Sequence, residues 1–240
     1  MSQLAAFIIG SGGNIGKHTA AALKARGYRV AVGSRSPART ELEKEGYVPV
    51  AVDVHSADSV RAAFAQVNKE LGPPSVVVFN VATLQPLPTP GDPLTLSHEA
   101  LTRETAVALS VFLAAQEALA GFRSAAHGTG GPKTFIVTGN ALPWVAADAP
   151  GNSMDYFSLN IQKLIAWRLM EVFSARYAAE NIRFYYATLV GASGDTLENL
   201  GDFFTSGPLH AKVYVDLATR PEQDDWDYRF TLDGKKWSKE

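Results

Sequence analysis

Cysteine is absent from this 240-residue chain, which excludes disulfides, thiolate nucleophiles and cysteine-held clusters. Histidine is scarce. The five (His18, His55, His98, His127 and His210) stand too far apart for metal-ligand spacing, so no protein-bound metal is expected. An excess of either charge is also missing: a formal net charge of −2 leaves no basic footprint for nucleic acid. No stretch approaches the length of a membrane span, the apolar start at 4–9 running straight into glycines. No membrane partner is expected, and a cytoplasmic location is. What remains is an ordinary globular composition, 46% hydrophobic and 19% charged, long enough to bury one sizeable core.

Short aliphatic runs alternate with longer segments of helical period. Strands are predicted at 4–10, 29–33, 48–54, 75–80, 134–139, 183–188 and 228–232. Helices are predicted at 15–27, 37–46, 56–72 with Ser56 or Asp58 as N-cap, and about 98–122, with a further one carrying Lys163 and ending near Ala179. The proline-rich stretch at 84–93 reads as a loop over the sheet edge. This alternation predicts a single α/β domain over 1–240: a doubly wound, seven-stranded parallel sheet of Rossmann type. Ligands of such sheets sit beyond the carboxyl ends of the strands, so the residues after each strand matter most.

After the first strand comes Gly10-Ser11-Gly12-Gly13-Asn14-Ile15-Gly16, opening a helix. Glycines there let backbone approach a pyrophosphate, and the helix N-terminus offers unpaired N–H groups. Ile15 falls on the last position of G-x-G-x-x-G, so that form does not fit. The chain instead resembles the short-chain dehydrogenase/reductase (SDR) superfamily, whose turn is G-x-x-x-G-x-G, with Gly10, Asn14 and Gly16 on its three positions. Asparagine tolerates left-handed backbone, so the missing middle glycine is a mild departure. Asp53-Val54 matches the family's adenine-holding pair, and Asn80-Val81-Ala82 matches its N-N-A-G element with two substitutions. The motifs follow in family order across nearly the whole chain.

The resemblance implies dinucleotide binding by Gly10, Ser11, Gly12, Asn14, Ile15, Gly16, Asp53, Val54, Asn80, Val81 and Ala82, and by the backbone of Leu189, Val190 and Gly191 after the sixth strand. The second strand ends Gly33-Ser34-Arg35-Ser36, where a carboxylate suits NAD and an arginine suits a 2′-phosphate. Ser34, Arg35 and Ser36 therefore favour NADP(H), with Arg39 as a helper.

Typical SDR enzymes use a lysine on the nicotinamide ribose, a tyrosine acid four residues earlier, a serine and an asparagine. Aligned on Ile182-Arg183, the lysine is Lys163 and the tyrosine position holds Leu159. The serine falls on Asn140, or on Gly139 if the register slips by one, and the asparagine on Val107. The chain thus resembles a divergent, fungal-type SDR without the catalytic tyrosine. Lys163, Asn140 and Tyr156 are the candidate catalytic residues. Asn140 can orient an oxygen or nitrogen through its amide. Tyr156 shares nearly the azimuth of Lys163 and can reach into a substrate cleft, although an offset of about 10 Å along a helix makes aromatic packing the simpler reading of it. Asp148 and Asp155 can serve as acids only if buried.

A ketone needs protonation as hydride arrives, which leucine cannot supply; an iminium or conjugated acceptor does not. The expectation is an atypical NADP(H)-dependent oxidoreductase acting on a small organic substrate, in the company of secondary-metabolism SDRs. The alternatives are an SDR-derived cyclase or isomerase and a non-catalytic dinucleotide-binding protein. Residues 189–209 read as a substrate lid walled by Phe203 and Phe204. The broad apolar spread of the Lys163 helix, with the family's usual contact, implies a homodimer or homotetramer.

Overall fold

Strands form where aliphatic residues run unbroken, because a parallel strand covered on both faces has no polar side to show. The computed structural model describes residues 4–124, 131–149 and 154–239. Its strands are β1 (Ala5–Ile9), β2 (Arg29–Ser34), β3 (Val48–Ala51), β4 (Val76–Phe79), β5 (Thr134–Thr138), β6 (Arg183–Leu189) and β7 (Asp227–Phe230). They form one all-parallel sheet in the order β3-β2-β1-β4-β5-β6-β7. Chain order reverses between β1 and β4, which opens the crevice where such folds bind ligands.

Among the described residues seven α-helices accompany the sheet: α1 (Ile15–Ala25), α2 (Arg39–Lys44), α3 (Ala57–Leu71), α4 (His98–Arg123), α5 (Phe157–Tyr177), α6 (Gly201–Thr205) and α7 (Gly207–Thr219). Alternate residues of each strand feed opposite layers. Phe7 and Ile9 join Phe64 of α3, Val111 of α4 and Met170 of α5 in one core. Ile8 and Val30 join Leu23 of α1 and Tyr214 of α7 in the other.

The differences from expectation have local causes. β3 stops at Ala51 because the Asp53 amide donates to the Ser59 hydroxyl at 2.9 Å instead of to a neighbouring strand. β7 ends at Phe230, where the chain reverses through Gly234 at φ +78. Ser56, not Asp58, caps α3, its hydroxyl accepting from the Ser59 amide at 3.2 Å. The sequence did not announce α7: it is buried around most of its circumference, so its polar strip (Lys212, Asp216 and Thr219) is narrow, and Val213 and Val215 read equally well as strand. α4 corrects the membrane expectation, being long and apolar enough by length and composition to cross one. Here it is a core helix, packed on α3, α5, β4 and β5.

Candidate active site

The turn after β1 requires two of its glycines for space. Gly10 has φ +95, and a Cβ there would lie 2.9 Å from the Asn80 carbonyl oxygen. A Cβ on Gly16 would lie 2.2 Å from the Gly10 oxygen. Gly12 and Gly13 differ: a Cβ on either meets nothing within 4 Å, so both face open space. The Ser11 hydroxyl turns back to the Gly33 carbonyl at 3.3 Å, and the Ile15 side chain is core. Asn14 corrects the left-handed reading. Its φ is −101, so the position makes no use of asparagine's backbone tolerance; the side chain bonds elsewhere, to Phe203 and Gly207.

Beyond β2, Ser34 is half-buried while Arg35 and Ser36 are exposed, and Arg35 makes no hydrogen bond or ion pair among the described residues. Arg39 donates to the Pro49 carbonyl at 3.5 Å. The Asp53 carboxylate accepts from the His55 amide at 3.0 Å, and this bond, with a smaller contribution from nearby Arg35, lowers its pKa. Val54 is buried in the core.

The other side of the crevice is organised by Thr138, the last residue of β5. Its hydroxyl donates to Asn80 Oδ1 at 2.7 Å and accepts from the Tyr214 hydroxyl at 2.9 Å. Asn80 Nδ2 in turn donates to the Gly10 carbonyl at 2.9 Å, tying the centre to the glycine turn. The Thr138 carbonyl accepts from Lys163 Nζ at 2.7 Å. Lys163 is buried without a carboxylate partner, and desolvation lowers its pKa to about 8. One turn before it stands half-buried Leu159, and Val107 is buried.

The Asn140 side chain caps the Leu142 amide at 3.2 Å, while its backbone N–H donates to the Tyr186 hydroxyl at 3.1 Å. A Cβ on Gly139 would lie 2.1 Å from Thr188 Oγ1, so only Asn140 can carry a side chain at this bend. Burial raises the pKa of both Tyr186 and Tyr214, so neither phenol is a ready acid. Tyr156 is half-buried just before α5, and Asp148 and Asp155 are exposed. Asp155 accepts from the Gly91 amide at 2.9 Å, stitching the proline-rich loop to the start of α5.

Comparisons with known proteins bear on the family and the fold. Residues 10–131 match a family model described as Enoyl-(Acyl carrier protein) reductase. The short chain dehydrogenase/reductase dmxR12 of Cryptosporiopsis sp. is 31% identical over 237 residues, covering 94% of this chain and 91% of its own. This chain belongs to the short-chain dehydrogenase/reductase family. Among solved structures, a metagenomic short-chain oxidoreductase in complex with NADP superposes at TM-score 0.71, with 18% identity and coverage of 95% and 97% of the two chains. NADH-dependent reductase A1-R′ complexed with NAD superposes at 0.75, with 16% identity and coverage of 96% and 95%. At these identities the likeness establishes the shared fold.

Within this SDR framework, one buried polar cluster escaped the sequence reading. Glu104 of α4, 4% exposed, accepts from the Thr83 hydroxyl at 2.6 Å and from Gln162 Nε2 at 3.1 Å. Gln162 also donates to the Thr83 carbonyl at 3.0 Å, and the Ser158 hydroxyl accepts from the Gln85 amide at 3.0 Å. Together they fix the loop after β4 to the helix that carries Lys163. The available signal was an acid on the apolar face that Val107, Ala108 and Val111 mark on α4.

The chain after β6 bears on two further readings. The Val190 amide donates to Phe230 and the Gly191 amide to Asp195, at 2.9 and 3.1 Å, so neither N–H is free for a ligand. Phe203 packs against His210, while Phe204 meets the edge of Phe203 with ring centres 5.8 Å apart and is otherwise 67% exposed. The start of the 189–209 segment is held by a stack: the Arg229 guanidinium lies 3.6 Å from the Trp144 ring centre and donates to the Gly194 carbonyl at 3.3 Å. Trp237 covers Gly194 from the other side, its indole N–H donating to the Ala192 carbonyl at 3.1 Å.

Just after that segment, His210 is fully buried between Phe203, Tyr214 and Phe230, with Nδ1 on the Ser206 carbonyl at 3.1 Å. Burial lowers its pKa to about 4 from the usual 6.5. The unfolded chain therefore takes up the proton first as pH falls. Folding stability is expected to drop by roughly 3 kcal/mol between pH 6.5 and 4 through this group. His210→Phe should flatten the pH 6.5–4.5 part of a denaturation series; an unchanged slope would contradict the assignment.

Proposed function

We propose that this SDR is an NADP(H)-dependent oxidoreductase that transfers hydride to a small, pre-activated organic acceptor. The observation that carries the reading is the pairing of Lys163, buried and bound to Thr138, with Leu159 one turn away. The residues fit a dinucleotide. Gly12 and Gly13 leave open space where a diphosphate would approach the N-terminus of α1, and Arg35 has a free guanidinium where a 2′-phosphate would lie.

The dinucleotide, when bound, supplies the hydride. Lys163 would turn its ammonium from the Thr138 carbonyl to the ribose hydroxyls, and the amide of Asn140 would orient an acceptor heteroatom without giving it a proton. Leu159 presents an apolar wall where the acid would stand. An iminium carbon becomes a neutral amine on receiving hydride and needs no proton, whereas a simple ketone leaves an alkoxide beside Leu159. A conjugated acceptor can be protonated away from this wall. General acids contribute about 10²-fold or more, so iminium and enone turnover should exceed simple ketone turnover by at least that factor. Oxidation of 4-deuterated NADPH against an imine, enone and ketone panel checks this; ketones reduced fastest would overturn it.

The outer faces of α4 and α5 leave Leu109, Phe112, Leu164 and Val172 between 41% and 60% exposed, an apolar patch that supports self-association as a homodimer or homotetramer. Sedimentation velocity should return a dimer or tetramer mass; a monomer at micromolar concentration would contradict it. The cytoplasm is its expected compartment.

A further inference from the structure

We propose that Asn14 is a positioning residue that locks the exit of the lid onto the glycine turn by capping α7 from outside its own segment. The first N–H groups of any helix lack partners within it, and asparagine ranks among the best side chains at supplying one. In α7 the local candidate does not serve: the Ser206 hydroxyl donates backwards to the Phe203 carbonyl at 2.6 Å. Asn14 takes its place, Oδ1 accepting from the Gly207 amide at 2.7 Å across 193 residues of sequence. Its Nδ2 donates to the Phe203 carbonyl at 2.9 Å, the residue that ends the lid's inward packing.

The contact leaves no slack. A Cβ on Gly207 would lie 2.5 Å from both Asn14 Oδ1 and His18 Nδ1, so the start of α7 touches the start of α1. With Trp144, Arg229 and Trp237 holding Gly194, the lid is pinned at both ends, and its second pin is a residue of the glycine turn. A glycine at position 14 would leave Gly207 uncapped. Any ligand that orders the turn therefore also orders Phe203–Gly207.

Hydrogen–deuterium exchange on the full chain tests this. Asn14→Ala removes the amide without adding glycine's backbone freedom, and Gly207→Ala breaks the same contact from the lid side. Both should speed exchange at Gly207 and across 201–206 by about tenfold or more, the effect of losing at least one net hydrogen bond. Asn14→Asp keeps the acceptor for Gly207 but sets a carboxylate oxygen where Nδ2 met the Phe203 carbonyl, so its protection at Gly207 should fall between that of Asn14→Ala and the wild type. Wild-type exchange in both alanine variants would overturn the proposal. The NADPH arm alone rests on the dinucleotide reading above: NADPH should slow exchange at 201–207 in the wild type and not in Asn14→Ala. Equal slowing in both would overturn the coupling. If NADPH protects no segment of either protein, the cofactor reading falls, while the ligand-free comparison still decides the cap.

Discussion

Lys163→Met is expected to make the ligand-free protein more stable at pH 7, by about 2 kcal/mol, while abolishing hydride transfer. The ammonium is buried against one carbonyl, and its pKa falls to about 8 from 10.5. That difference corresponds to roughly 3 kcal/mol of folding penalty below pH 8, from which about 1 kcal/mol is subtracted for the lost bond to Thr138. The sign follows from proton uptake. Between pH 8 and 10.5 the unfolded chain holds the proton and the folded one does not, so wild-type stability gains on the variant as pH rises through that window. Paired denaturant melts from pH 7 to 10 should show the gap closing. A destabilised variant at pH 7 would mean that the lysine is a structural anchor. Product formation surviving the substitution would favour a cyclase or isomerase.

The glycine turn gives the second large effect, because neighbouring glycines serve different ends. Gly16→Ala places a Cβ 2.2 Å from a backbone oxygen, which cannot swing away as a side chain could. A loss of about 3 kcal/mol or more is expected, together with loss of dinucleotide binding. Gly12→Ala meets nothing within 4 Å, so its stability should stay within about 0.5 kcal/mol of wild type. Its NADPH affinity should still fall about tenfold or more, since the new methyl enters the space left for the diphosphate. Thermal melts with and without NADPH separate the two. Unchanged NADPH affinity in Gly12→Ala would remove the diphosphate from that surface.

These effects also show what the sequence could and could not disclose. The sheet was legible because its central strands are covered on both faces, and runs such as Val76–Phe79 carry no polar residue to confuse the period; the edge strand β7 alternates buried and half-buried residues instead. Lys163 was legible through its spacing from Ile182-Arg183, and Leu159 through its distance from Lys163. The missed features are long-range or internally satisfied. Glu104, Thr83 and Gln162 meet from three separate segments. Asn14 invited a backbone explanation because its true partners lie 189 and 193 residues away. The backbone of Val190 and Gly191 pointed to a ligand contact by position alone, yet β7 and the following turn take both amides. α7 was missed because its exposed face is only a narrow strip of Pro208, Lys212, Asp216 and Thr219 on an otherwise buried helix.

The most direct measurement is a titration of the wild-type protein and of Arg35→Ala with NADPH and NADH, followed by tryptophan quenching. The expected result is selective NADPH binding by the wild type, weakened about tenfold or more in Arg35→Ala, with NADH affinity little changed. Equal affinity of both proteins for NADPH would contradict the role given to Arg35. Binding of neither dinucleotide by the wild type would contradict the account as a whole.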